Sequence, residues 1–197
     1  HSSAGKNLSL RDSSQQVAEK SKTAKTTASK KLGHQTNGDL RGSKGSNYEG
    51  GHRVPYIVRW PNQIAAGSES DQIITLADTL ATVSGFLESP FPKADGPDSF
   101  DLSPVMLGKT AKGPKRPGII LQTSRGALAF REGDWKLRFP KATTWKGLKA
   151  TLPTQGPELY HLSEDPGEQN NLSSLEPERV SAMSARLLDL LNRGQSH

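Results

Sequence analysis

The chain of 197 residues contains no cysteine. Disulfides and thiolate metal ligands are therefore excluded, and the redox compartment stays undetermined. Long apolar runs are also missing. The longest, Ile73 to Leu87, is interrupted by Asp78 and several hydroxyl residues, so no membrane-crossing helix is expected. The chain opens on His1-Ser2-Ser3-Ala4-Gly5, with neither an initiator Met nor an apolar segment behind a basic one. No signal peptide is read there, and the start is expected to be a truncation. Aromatics make up 6% and hydrophobic residues 32%, which is low for a compact globule, so part of the chain is expected to lie outside any core.

What the chain does have is positive charge: a formal net charge of +6, a pI near 9.6 and a mean hydropathy of −0.66. Much of the excess sits in residues 1–33, where Lys20, Lys22, Lys25, Lys30 and Lys31 lie among Ser, Thr, Gln and Ala. This composition offers little apolar surface to bury, so the segment reads as a loop or insertion, mobile and dispensable for folding over 6–31, with partial helix over Gln15 to Lys31. Clustered lysines could neutralise phosphates. No aromatic is interleaved for base stacking, however, and a nucleic-acid partner is not expected.

The most informative stretch is Leu40-Arg41-Gly42-Ser43-Lys44-Gly45-Ser46-Asn47-Tyr48-Glu49-Gly50-Gly51-His52-Arg53-Val54-Pro55, running on to Trp60-Pro61. Two glycine clusters bracket one lysine ahead of an apolar run. Glycines reach backbone conformations closed to other residues and let a ligand approach the main chain, so Lys44 can be held as a fixed point charge for an anion. A solvated loop lysine is the ordinary alternative. Glu49 and Arg53 could simply pair with each other.

This string resembles the lysine-bearing segment of the type I sulfatases, whose members read Leu-Arg-Gly-x-Lys, then Glu-Gly-Gly-x-Arg-x-Pro and a strand ending in Trp-Pro. The resemblance implies that Lys44 binds a sulfate oxygen and offsets charge as the sulfur–oxygen bond breaks. Upstream, His34 and Asn37 are similar to the His-x-x-Asn-Gly of many bacterial sulfatases, which implies substrate contact for both. Asp39 departs from the small residue common there and adds a negative charge. Leu76-Ala77-Asp78-Thr79-Leu80-Ala81-Thr82 looks like an Asp-Leu-x-Pro-Thr segment of the alkaline phosphatase-like superfamily, although Ala81 stands where proline is common. Asp78 could ligate a metal, but a carboxylate at a helix N-terminus is its ordinary role. Asp98 to Gly108 and Glu158 to Leu172 are similar to two further sulfatase runs, with His161 in place of the usual Asp.

Other family features are missing. The Cys/Ser-x-Pro/Ala-x-Arg motif that yields formylglycine does not occur, nor do the paired aspartates and the Asp-Asn pair that bind calcium. The resemblance therefore implies a C-terminal fragment, roughly the last third, of a sulfuric ester hydrolase acting on sulfated carbohydrate. Formylglycine and calcium are expected from the missing N-terminal part, with none bound here and no activity from this chain alone. A phosphodiesterase or phosphonate hydrolase of the same superfamily, or a noncatalytic fragment binding anionic glycans, are the alternatives. If the source is bacterial, the resemblance implies a periplasmic or secreted protein.

The expected fold class is α/β: the C-terminal part of an alkaline phosphatase-like mixed sheet sandwiched by helices, then a small antiparallel sheet with a packed C-terminal helix. The domain boundaries expected are 1–33 for the loop, 34–112 for the catalytic-domain part and 113–197 for the small subdomain. Val54 to Trp60 reads as a strand buried on both faces of a parallel sheet, Ser70 to Ile74 as extended, and Thr75 to Val83 as a helix stopping near Gly85. Strands are expected at Ile119 to Gln122, Ala127 to Arg131, Trp135 to Phe139 and Glu158 to Leu162, with a hairpin turn at Glu132-Gly133-Asp134. The last helix should start at Pro177 and bury Val180, Met183, Leu187, Leu190 and Leu191. His161 and the acids near it lack metal-ligand spacing.

Overall fold

The computed structural model describes residues 35–110, 113, 116–147, 149–154 and 156–194. The chain divides into two compact units, residues 1–39 and 40–197. Of the first unit only 35–39 are described, a turn closed by Gly38 N–H donating to the Gln35 carbonyl at 3.2 Å. The readings made for residues 1–33 lie outside the described residues.

The second unit is built around an antiparallel sheet in the order β1-β2-β3-β6, formed by β1 (Ile119–Gln122), β2 (Ala127–Glu132), β3 (Trp135–Ala142) and β6 (Glu158–His161). A two-stranded ribbon of β4 (Thr144–Lys146) and β5 (Lys149–Thr151) follows β3. The β2–β3 hairpin turns at Gly133-Asp134, with Glu132 opposite Trp135. In register, Phe130 faces Leu137, and Leu137 faces Leu159. Side chains alternate across a strand, so these residues line one sheet face and Arg131, Lys136 and Tyr160 the other.

The apolar face is covered by the C-terminal helix, Pro177–Arg193. Pro177 begins it, where a missing N–H costs nothing, and Gly194 ends it in the left-handed region with its N–H on the Leu190 carbonyl at 3.1 Å. Met183, Leu187 and Leu190 recur at helical spacing and join Phe130, Leu137, Phe139 and Leu159 in one buried cluster, with Val180 and Leu191 at its edge. The strands, the hairpin and this helix stand where the periodicity puts them.

The remaining helices are short: α1 (Glu49–His52), a 3-10 turn (Leu76–Asp78), α2 (Thr79–Phe86) and α3 (Ser103–Met106). A second 3-10 turn spans Lys93–Asp95, and the C-terminal helix is α4. Asp78 is buried where the 3-10 turn meets α2. Its carboxylate accepts N–H groups from Thr75 (2.7 Å) and Phe100 (3.0 Å) and pairs with Arg116. It acts as a cap and ion-pair partner.

One sequence expectation fails. Val54 to Trp60 forms no strand and is exposed throughout, with Ile57 at 88%. Apolar residues in a row make a segment suited to a buried strand, but a strand exists only when neighbouring backbone answers its N–H and C=O groups. Among the described residues no strand lies beside this one. Trp60 instead rests edge-on against Phe86, with ring centroids 5.0 Å apart.

Candidate functional site

Lys44 occupies a tight turn. Ser46 N–H donates to the Ser43 carbonyl at 3.0 Å, which places Lys44 second and Gly45 third in a four-residue turn. Gly45 has φ +91°, the conformation a type II turn demands at its third position and one that glycine adopts without strain. The Lys44 side chain is exposed, as a group that must meet an incoming anion should be.

Beneath this turn lies α1. Gly50 N–H donates to the Arg41 carbonyl at 2.8 Å, drawing the helix against residues 40–42. At Gly51 the approach is closer still: an added Cβ would stand 2.1 Å from the Ser46 carbonyl oxygen and 2.9 Å from that of Ser43. Those carbonyls flank Lys44, so the glycine pair is what allows the turn to sit on the helix. Gly51→Ala is expected to destabilise the chain by about 1–3 kcal/mol and shift the turn, since backbone cannot yield as a side chain can. Urea unfolding measures the first effect. An unchanged midpoint would show that the close approach is not required.

The side chains of α1 point at the polar face of the sheet. Lys136 of β3, wholly buried, places its ammonium 2.9 Å from Glu49 Oε1, 2.8 Å from Glu168 Oε1 and 3.1 Å from His52 Nε2. A lysine ammonium has three donors and no acceptor, so Nε2 of His52 must accept and the ring is neutral on that side. Glu168 closes the arrangement by accepting Glu49 N–H at its Oε2, 2.6 Å away. Arg131 adds a contact of 3.4 Å to Glu49. Glu49 thus pairs its carboxylate with Lys136 and Arg131, in place of Arg53. Arg53 is exposed at the end of α1.

Burial works to raise the Glu49 carboxyl, yet the Lys136 ammonium and Arg131 outweigh it and hold the group below its ordinary value. For Glu168 burial wins and pushes the carboxyl up, against the pull of Lys136. Burial and the neighbouring Lys136 charge together depress His52 to about 4. A histidine near 6.5 when unfolded and about 4 when folded takes up its proton first in the unfolded chain. Its contribution is complete above 6.5 and lost as pH falls through the window down to 4, up to roughly 3 kcal/mol. His52→Gln should flatten that part of the stability–pH curve relative to the parent chain. Parallel curves from pH 7 to 4 would show that His52 is not held neutral.

A second polar group adjoins this one. Arg138 donates to Asn47 Oδ1 and to Glu158 Oε2, both at 2.7 Å, and Glu158 also accepts the hydroxyls of Tyr48 and Tyr160. The Tyr48 ring lies between the guanidinium groups of Arg41 and Arg138, at 4.1 and 3.9 Å from its centroid. Arg41 reaches the Glu168 carbonyl at 2.7 Å. Residues 41–52 therefore cover one face of the sheet as α4 covers the other.

Of the residues named from sequence, Lys44 belongs to the second unit and Asn37 to the first, where Asn37 is half-buried in the 35–39 turn. His34 lies outside the described residues. Sequence reasoning missed Lys136 and Glu168. Lys136 alternates with Trp135 and Leu137 and so reads as one of a solvated face, and Glu168 stands in an acidic turn. Their one local signal is the match of polar alternation in β3 and β6, where Lys136 opposes Tyr160 and Arg138 opposes Glu158.

Among the described residues no three His, Asp or Glu side chains gather to hold a metal ion. His161 meets Glu164 at 3.8 Å and Ser163 at 3.2 Å in an exposed turn. The residues described do not fit calcium, and the sequence has no formylglycine precursor motif. No helix among the described residues is long and apolar enough to cross a membrane.

Residues 13–89 match the family model described as Sulfatase. An N-acetylgalactosamine-6-O-sulfatase of Bacteroides thetaiotaomicron is 33% identical over 165 residues, covering 82% of this chain and 32% of that protein. Human arylsulfatase A is 36% identical over 152 residues, covering 68% and 29%. A solved structure concerned with the metabolism of multiple glycosaminoglycans by Bacteroides thetaiotaomicron superposes with a TM-score of 0.68 at 32% identity, covering 81% of this chain and 33% of that one. A mixed α/β chain with an antiparallel sheet and a C-terminal helix packed on it thus has sulfatase architecture. The chain belongs to the sulfatase family, in the alkaline phosphatase-like fold class, and spans about a third of the length of these relatives.

Proposed function

We propose that this chain is the C-terminal third of a sulfuric ester hydrolase acting on sulfated carbohydrate, with Lys44 as its sulfate-binding cation. The observation that carries the reading is the placement of Lys44: an exposed ammonium on a turn whose two flanking carbonyls rest against Gly51. Such a charge meets a sulfate oxygen without rearranging, and electrostatic stabilisation is largest where the charge is already in place. As the ester bond breaks, negative charge on the departing group and the sulfate oxygens has to be offset. A cation fixed beside the sulfate does this.

Support for the substrate class comes from the relatives, one of which is named for N-acetylgalactosamine 6-O-sulfate. Asn37 and His34 are assigned to substrate binding, as the family resemblance implies. Formylglycine and calcium are assigned to the remainder of the full-length protein, and, if the source is bacterial, the same family reading gives a periplasmic or secreted location.

Two assays test this. The full-length protein should hydrolyse an aryl sulfate faster than the matching phosphate diester, and the reverse order would favour a phosphodiesterase. The 197-residue chain alone should turn over neither, because its described residues assemble no metal site and its sequence has no formylglycine precursor. Turnover by the chain alone would contradict the division of labour.

A further inference from the structure

We infer that Lys136 and Glu168, far from Lys44 in sequence and on the opposite side of α1, are positioning residues that fix the Lys44 turn through Glu49. The consequence for catalysis rests on the sulfatase reading of Lys44.

The four residues of α1, two of them glycine, cannot hold a helix by their own propensity. Its N-cap residue, Tyr48, makes no side-chain cap bond either. Yet the Lys44 turn is carried by this helix, through Gly50 N–H on the Arg41 carbonyl and through the contact of Gly51 with Ser43 and Ser46. Something else must hold α1 in place.

The holding groups are on its two ends. Glu49, the first residue, offers both its side chain and its N–H to the sheet: the carboxylate to Lys136, the N–H to Glu168. His52, the last residue, accepts from the same Lys136. One buried ammonium therefore touches both ends of α1, and Glu168 joins that ammonium to the backbone of Glu49. Lys136 and Glu168 are both wholly buried, and a buried polar network rigidifies the groups it joins. The chain of contacts is Glu168 to Glu49 N–H, Glu49 to Lys136, α1 to the turn, and the turn to Lys44.

Glu168 is the better member to alter, because removing it leaves Lys136 paired with Glu49 instead of stranding a charge. Its backbone has φ +52°, which glycine tolerates more readily than glutamate, so Glu168→Gly removes the side chain with little backbone cost. Glu168→Gln keeps an acceptor for the Glu49 N–H and serves as the conservative rescue, and as the working variant if Glu168→Gly does not fold.

Two measurements on the full-length protein decide the matter. The first is amide exchange by mass spectrometry on peptides covering 40–52 and 119–139. Glu168→Gly should speed exchange in 40–52 by about tenfold or more while 119–139 keeps its protection, and Glu168→Gln should fall between it and the parent. Parent-like exchange in 40–52 for both variants overturns the inference. The second is hydrolysis of 4-nitrophenyl sulfate by the parent, Glu168→Gly, Lys44→Ala and the double variant. A misplaced turn should cost Glu168→Gly about tenfold or more, mostly in kcat, but less than about threefold once Lys44 is already alanine. Equal losses in the two backgrounds overturn the inference, because the effect would not pass through Lys44. If Lys44→Ala keeps full activity, the sulfate-binding role fails and the exchange result alone decides the positioning.

Discussion

Replacing Lys44 by alanine in the full-length sulfatase is expected to lower kcat/KM by roughly 10²-fold or more, the scale of losing one preorganised electrostatic contact in a transition state. The loss should fall largely on kcat. Sulfate is already charged in the ground state, but its interaction with a fixed cation gains most as the leaving oxygen departs. Lys44→Arg should restore only part of the rate, since a planar fork held on the same turn presents its charge differently from a compact ammonium. Folding stability should stay within about ±0.5 kcal/mol, because the side chain is exposed and the turn is made by Ser43, Gly45 and Ser46. Steady-state kinetics on an aryl sulfate, with urea unfolding of the same preparations, separates the two effects. Full activity in Lys44→Ala would make it a solvated loop lysine.

Lys136→Met is expected to act in the opposite way, through stability. The substitution keeps the side chain's length and removes the charge shared by two buried carboxylates, Glu49 and Glu168, leaving Glu49 only its 3.4 Å contact with Arg131. Breaking a buried ion pair from one side typically costs about 3–5 kcal/mol, because the charge left behind is uncompensated. Here Glu168 would lose its cation and Glu49 would keep Arg131 alone. The urea midpoint should fall steeply at an unchanged slope, the mark of lost stability in place of a changed unfolded state. Neutralising the partners in the triple variant Lys136→Met/Glu49→Gln/Glu168→Gln should recover a large part of the loss, since hydrogen-bonding shape is kept and no charge is stranded. A single-variant cost below about 1 kcal/mol would mean that water reaches the cluster and screens it.

The two predictions differ because exposure and burial treat the same side chain differently. Lys44 is worth little to the fold and much to the proposed chemistry. Lys136 touches no substrate in the proposed mechanism, yet the geometry under Lys44 depends on it.

Local periodicity determined the C-terminal part of this protein. The alternation in Ile119 to Gln122, Ala127 to Arg131 and Trp135 to Phe139, and the helical spacing of Met183, Leu187 and Leu190 between Pro177 and Gly194, each reflect interactions within a few residues or across one hairpin. The glycines that bracket Lys44 were legible for the same reason, whereas the turn itself is seen in the Ser43–Ser46 bond. Tertiary structure decided the rest. Val54 to Trp60 has the composition of a buried strand and lies exposed, because pairing requires a neighbour that no described residue supplies. Glu49 turned from Arg53, four residues away, to Lys136 and Glu168, over eighty residues on, because burial weakens screening and makes a distant but dry partner worth more than a near but wet one. Whether the polar face of β3 meets water or residues 41–52 depends on how the chain folds back on itself, and no spacing within the strand records that.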